Sequence, residues 1–154
     1  MKRIQFLFII VMTFLMIHCS TKITVDEENQ FKGLWSLYIM EQKDSVTNQW
    51  SEWRNGMQGY ILYDDTDNMA VHLTTKGYEK TDLEFPNFND TISIEALKYL
   101  TGSYTYFSKY SVDKDNKQVT HARISHSNPK EWNDIVIRKY TFVGDTLILE
   151  PIEK

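Results

Sequence analysis

The chain has 154 residues, of which 42% are apolar and 14% aromatic, and it carries 17 Lys and Arg against 21 Asp and Glu. That is one domain with enough apolar content to bury a core, which argues against disorder. A formal charge of −4 without a clustered basic stripe argues against a nucleic-acid partner, and a single cysteine rules out an internal disulfide.

Residues 1–19 read as an export signal. Lys2 and Arg3 precede an apolar run from Ile4 to Ile17, broken only by Gln5 and Thr13. As a helix this run rises about 21 Å, short of a hydrocarbon core about 30 Å thick, so it is a signal segment more readily than a membrane span. It contains no acid, and without it the net charge falls from −4 to −6. Ordinary signal peptidase wants small residues just before the cut, and the first alanine is Ala70. The only cysteine follows the run directly. Leu15-Met16-Ile17-His18-Cys19 resembles the lipobox of bacterial lipoproteins, with His18 where that pattern has Gly, Ala or Ser. The resemblance implies a diacylglycerol on Cys19 and a domain lipid-anchored to a membrane of the bacterial cell envelope. The plainer alternatives are a buried thiol and an uncleaved signal anchor. Residues 20–30, with acids at Asp26, Glu27 and Glu28, read as a short solvated tether.

The domain then occupies residues 31–154. Short apolar or alternating runs are separated by Asn, Asp, Gly and Pro clusters, which predicts an all-β fold. Strands are expected at Gly33 to Lys43, Gln58 to Tyr63, Asn68 to Thr74, Gly102 to Tyr110, Gln118 to His126, Asp134 to Val143 and Thr146 to Glu150. Tight connections favour antiparallel neighbours in chain order. Ile92, Ala96, Leu97 and Leu100 recur at helical spacing before Gly102, predicting one short helix with Gly102 at its C-cap. Met69, Val71 and Leu73 share a core face opposite His72. Both faces of Ile135 to Val143 are partly apolar, so the helix, or a second copy in a homodimer, is expected to cover this strand. Seven to eight antiparallel strands can close into an up-and-down β-barrel, whose interior is either filled by side chains or holds one small ligand.

Gly33-Leu34-Trp35-Ser36-Leu37 resembles the Gly-x-Trp opening strand of lipocalins. Several further segments make the chain similar to the bacterial lipocalin-like domain family over nearly all of Phe31 to Glu150. They are Gly59-Tyr60-Ile61-Leu62-Tyr63, Met69-Ala70-Val71, Gly102-Ser103-Tyr104 and Val119-Thr120-His121, followed by Trp132, Arg138, Tyr140 and Gly144-Asp145-x-Leu147. The resemblance implies a cup-shaped barrel that holds a small, mostly apolar or aromatic molecule. It also implies a structural plug at the closed end, in which Arg138 lies across the Trp35 indole. The chain departs from the family at Asp67-Asn68, where a hairpin Asp-Gly is usual and Asn68 is expected to take up the positive φ. It departs again at Lys139, where a second Arg is common, and residues 77–91 match little.

His121 shares a strand face with Val119 and Arg123 and is expected to point inward near Tyr63 or Tyr104. Tyr63, Tyr104, Tyr106, His121, Arg123 and Tyr140 are the candidate ligand-binding residues. The plainer reading of His121 is a packed histidine bonded to a tyrosine. His121 and His126 are five apart, which on a regular strand places them on opposite faces, so no zinc site is expected. The acids of Asp64-Asp65-x-Asp67-Asn68 fit a polar hairpin turn better than a calcium loop. There is no Gly-x-Ser-x-Gly elbow and no phosphate-binding glycine loop, and no cofactor is expected. Trp50, Trp53, Tyr78, Phe85 and Phe88 fall in weakly patterned segments, as lid packing or a ligand mouth.

The leading expectation is therefore a tethered module that binds a small apolar molecule. The alternatives are an enzyme on the same barrel, using His121 and a Tyr for proton transfer, and an interaction lipoprotein with a filled barrel. A void of roughly 300 Å³ or more separates the binding and catalytic readings from the filled one.

Overall fold

A computed structural model describes residues 26–85 and 91–152, so the signal segment and Cys19 lie outside the described residues. Among the described residues the alternating runs become nine strands: β1 (Gly33–Ser36), β2 (Glu41–Lys43), β3 (Trp50–Glu52), β4 (Met57–Tyr63), β5 (Asn68–Thr75), β6 (Tyr104–Asp113), β7 (Gln118–His126), β8 (Ile135–Val143) and β9 (Thr146–Pro151). Seven of them form one antiparallel sheet in the order β1-β4-β5-β6-β7-β8-β9. β2 and β3 pair with each other as a separate hairpin, inserted where one long first strand was expected. The α-helices among the described residues are α1 (Glu27–Phe31) and α2 (Ile94–Gly102).

Because side chains alternate across a strand, one face of the sheet collects Met57, Tyr63, Met69, Val71, Leu73, Tyr106, Tyr110, Val119 and Tyr140, all buried. The other face leaves Leu34, Tyr60, Leu62, Phe107 and Ile124 exposed. The sheet curls around the buried face into a half-barrel. This bears out the expected antiparallel, lipocalin-like architecture; β1 and β9 are the edges of the sheet, and side chains rather than a hydrogen-bond ladder bring the two sides together. The Trp35 and Phe142 rings lie 6.1 Å apart, and Phe31, just before β1, packs on Tyr140 and Phe142 of β8.

Two positions explain local departures from regular pairing. Gly59 has φ 139°, and a Cβ there would sit 2.0 Å from the His72 carbonyl oxygen, so only glycine permits β4 to approach β5 this closely. A bulge between Phe107 and Ser108 shifts the register with β7: Phe107 faces Ser125, while Ser108 faces Arg123. The extra residue, Ile124, reverses the alternation, so His121 and His126 are both buried on the inner face. The expectation that a five-residue spacing separates them is corrected by this bulge.

The β4–β5 turn is held by Asp64, whose carboxylate accepts from the backbone N–H groups of Thr66 and Asn68, each at 2.8 Å. Asn68 side-chain bonding holds its pKa well below the usual carboxylate range. The left-handed residue is Asp67, at φ 60°, rather than Asn68. α2 starts two residues later than the spacing from Ile92 suggested, with Ser93 capping the Ala96 N–H at 3.1 Å. Gly102 is its last helical residue and Ser103 the cap. α2 packs on β5 and leaves Ile135 (65% exposed) and Ile137 (42%) of β8 uncovered, contrary to the expected helical cover.

Candidate functional site

The end of the half-barrel beside the β4–β5 and β6–β7 turns is filled by rings. Phe31 is fully buried and lies 5.2, 4.9 and 5.1 Å, edge to face, from Tyr63, Tyr140 and Phe142. α1 delivers it there. Asp26 caps the Glu28 N–H, and Lys114 reaches Asp26 at 2.7 Å. Lys117 pairs with Glu27, whose carboxylate also accepts from the Tyr140 hydroxyl at 2.6 Å. These bonds, Lys117 first and Tyr140 second, hold the Glu27 carboxyl below its ordinary pKa. The acidic run read as a solvated tether is thus, from Asp26, a short helical latch with its acids at the favourable N-terminal end. Trp35 donates its indole N–H to the Phe31 carbonyl at 2.7 Å, so it braces the stopper and Phe31 is the stopper itself.

Deeper in, His121 bridges two tyrosines. Its Nε2 lies 3.0 Å from the Tyr63 hydroxyl and its Nδ1 3.0 Å from that of Tyr106, which ties β4, β6 and β7 together. A neutral imidazole has one donor and one acceptor nitrogen, so one hydroxyl donates to the ring and the other accepts from it. Burial, helped by the charges of Arg138 and Arg123, lowers the His121 pKa to about 3 and keeps the ring neutral. Burial also pushes Tyr106 up to about 12 and Tyr63 higher still.

The opposite end, where β6 starts and β7 ends, is built differently. A cavity of about 350 Å³ opens there between Met40, Trp53, Tyr104, Arg54, Arg138 and His126, with Glu131 on its wall. Arg123 lies beneath it with a side chain only 5% exposed. Arg123 Nη1 donates to Glu131 at 2.7 Å, Nη2 donates to the Tyr104 hydroxyl, and the guanidinium carbon stands 4.9 Å from the Tyr106 ring centre. Burial raises the Glu131 pKa, but Asn128, His126 and Arg123 outweigh it and leave the carboxyl below its usual range. His126 Nδ1 accepts from the Asn128 backbone N–H at 2.8 Å, which puts the proton of the neutral ring on Nε2. That Nε2 has no hydrogen-bond partner among the described residues; Glu131 is 3.5 Å away without hydrogen-bond geometry. Arg54 stands 4.1 Å over the Trp53 ring and donates to the Gly102 carbonyl at 3.1 Å.

The antiparallel curled sheet around an inner cavity is the arrangement that the opening Gly-x-Trp strand implied. The sequence profile of the lipocalin-like domain matches residues 32–154. The chain belongs to the lipocalin-like domain family. No curated protein and no solved structure gives a match.

Within this lipocalin-like domain the expected site residues divide between the two ends. Tyr104 lines the cavity, and Arg123 supports it through Tyr104 and Glu131. Tyr63, Tyr106 and His121 form the sealed bridge, and Tyr140 belongs to the latch at the far end, so none of these four lines the cavity. A proton-transfer role for His121 lacks access, since both ring nitrogens are occupied and the residue is fully buried. Arg138 was assigned to the Trp35 indole; it lines the cavity instead, and among the described residues the cations over tryptophan or tyrosine rings are Arg54, Lys117 and Arg123. The reason is placement along the strands. Trp35 faces Phe142, whereas Arg138 pairs with Val119, two residues from His121. Arg54, His126 and Glu131 were missed as site residues. Only Trp53 beside Arg54 carried a signal, an aromatic in a loop that could form a mouth.

Proposed function

We propose that this chain is a lipocalin-like binding module, tethered to a membrane through lipid on Cys19, that takes one small and partly apolar molecule into the cavity beside β6 and β7. The observation that carries the reading is the void of about 350 Å³ at one end of the half-barrel. It lies within the range of roughly 300–1,000 Å³ typical of small-molecule sites. Met40, Trp53 and Tyr104 supply an apolar wall, and a few polar groups converge on it. Membership of the lipocalin-like domain family supports the same reading, because such domains characteristically hold small hydrophobic molecules.

Native mass spectrometry of protein purified from its own host tests this directly. The expected result is a mass increment for a non-covalent guest, lost on mild activation, and a lipid increment that stays on Cys19. A bare polypeptide mass would remove both parts of the proposal. For the anchor alone, Cys19→Ser should move the protein from the detergent phase to the aqueous phase, and unchanged partition would count against lipidation.

A further inference from the structure

From the chemistry of the cavity wall, we infer that the ligand is a small organic anion, an apolar body carrying one acidic head group, received by Arg54, Arg138 and the Nε2–H of His126. This deepens the binding reading and rests on it. Most polar groups of the wall are already engaged. Thr101 and Ser103 donate to backbone carbonyls of α2, and Ser127 Oγ accepts from the Thr105 N–H. Asn128 spends its oxygen on the Lys130 N–H and its nitrogen on Glu131. What remains is cationic or a donor. Arg54 and Arg138 form no ion pair among the described residues. His126 holds an unpartnered N–H on a side chain only 1% exposed. A buried donor without an acceptor is costly, and an acidic oxygen placed in this cavity would relieve it.

The acids facing the site are accounted for. Glu131 is held by Arg123 and Asn128, and the exposed Asp134 carboxylate lies 3.8 Å from Arg123 and does not line the cavity. The wall therefore presents two guanidinium groups without a carboxylate partner among the described residues, Arg54 spending one N–H on the Gly102 carbonyl, against one carboxylate that is already paired. It does so on a chain whose formal charge is −4, so the local excess is not a consequence of overall composition. The placement of Arg54 points the same way. It sits at φ 53°, a left-handed conformation that non-glycine residues rarely take, and is followed by Asn55 at φ 62°. That turn lays the guanidinium on Trp53, joining a charge to the apolar wall. Strained backbone of this kind persists where the surroundings hold it in place.

The test uses two fluorescent probes with one body, anilinonaphthalene sulfonate and anilinonaphthalene without the sulfonate, titrated into the folded protein. The sulfonate should bind at least about tenfold more tightly, the expected scale of a charge-assisted hydrogen bond, and should weaken with added salt. Arg138→Gln and Arg54→Gly should each abolish most of that preference, read as the ratio of sulfonate to neutral-probe affinity within each variant. Glycine suits the left-handed position 54, so this second variant keeps its fold, and a thermal melt checks both. Arg138→Lys should retain most of the sulfonate affinity. If the neutral probe binds as well as the sulfonate, or the ratio survives in both arginine variants, the anion assignment is overturned while the binding module stands. If neither probe binds, the cavity is not a small-molecule site and both readings are overturned.

Discussion

The two ends of the half-barrel are made from similar residues, aromatics with a few charges, yet they are finished in opposite ways. At the α1 end the charges sit outside the rings and pair with each other: Lys114 with Asp26, Lys117 with Glu27, and the Tyr140 hydroxyl with Glu27 again. The rings beneath meet edge to face around Phe31. At the α2 end the charges lie under and around a void, and two buried donor atoms, Arg123 Nε and His126 Nε2, have no partner among the described residues. A fold stabilised everywhere by the same rule would satisfy both ends alike. The difference indicates that the first end is built for stability and the second leaves bonding capacity for something else.

That contrast can be broken most directly at its centre. Phe31→Ala should cost about 3–5 kcal/mol in urea unfolding, because it removes a fully buried ring that joins α1 to β4 and β8. A cost under about 1 kcal/mol would show that the rings do not close this end. Next, His121→Phe should cost about 2–4 kcal/mol by leaving the Tyr63 and Tyr106 hydroxyls unpaired.

The same histidine makes a pH prediction. Its pKa falls from about 6.5 in the unfolded chain to about 3 when folded, so below the unfolded value the unfolded state binds the extra proton. Its contribution is complete above pH ~6.5 and is lost progressively as the pH falls towards the folded value. Between pH 7 and pH 5 this amounts to about 2 kcal/mol, and His121→Gln should flatten that limb of the stability profile. An unchanged acid limb in the variant would place the titration elsewhere.

Glu131→Gln sharpens the contrast from the cavity side. Arg123 would lose its nearest charge, but Glu131 is 32% exposed and Asp134 remains at 3.8 Å. The expected loss is therefore about 2 kcal/mol, below the ~3–5 of a fully buried broken pair. The same change should tighten the sulfonate probe, so stability and binding move in opposite directions; parallel losses would argue that Glu131 takes part in binding. The smallest effect belongs to Glu27→Gln, under about 1 kcal/mol for a partly exposed pair. Because its folded pKa is depressed, the contribution of Glu27 is present above the unfolded value near pH ~4.3 and vanishes as the pH falls through the folded one. Wild type and variant should therefore converge in acid, as read by unfolding at pH 6 and pH 3.

Much of the fold was readable because alternation is a local property. Asn68 to Thr74 announces β5 and its buried face within a few residues, and the tight Asp113 to Lys117 connection forces β6 and β7 to pair. His121 was legible for the same reason, as an inward residue on a regular stretch of β7. His126 was not, because one bulge opposite Phe107 turns it inward and nothing in its neighbours marks the extra residue. Phe31 was read only as the point where the domain begins, since an isolated aromatic after an acidic run has no periodicity to place it.

The amino-acid order alone thus determined the strands, their sequence of neighbours and the family, since these follow from two-residue periodicity, short connections and motif spacing. Only the tertiary structure decided which end is stoppered and which is hollow. The stopper depends on a Tyr140 to Glu27 bond between residues 113 apart in the chain, and the hollow on side chains from the β3–β4 turn, α2, β6, β7 and β8 meeting in space. Packing of this kind is a relation between distant segments, and it exists only once the sheet has curled.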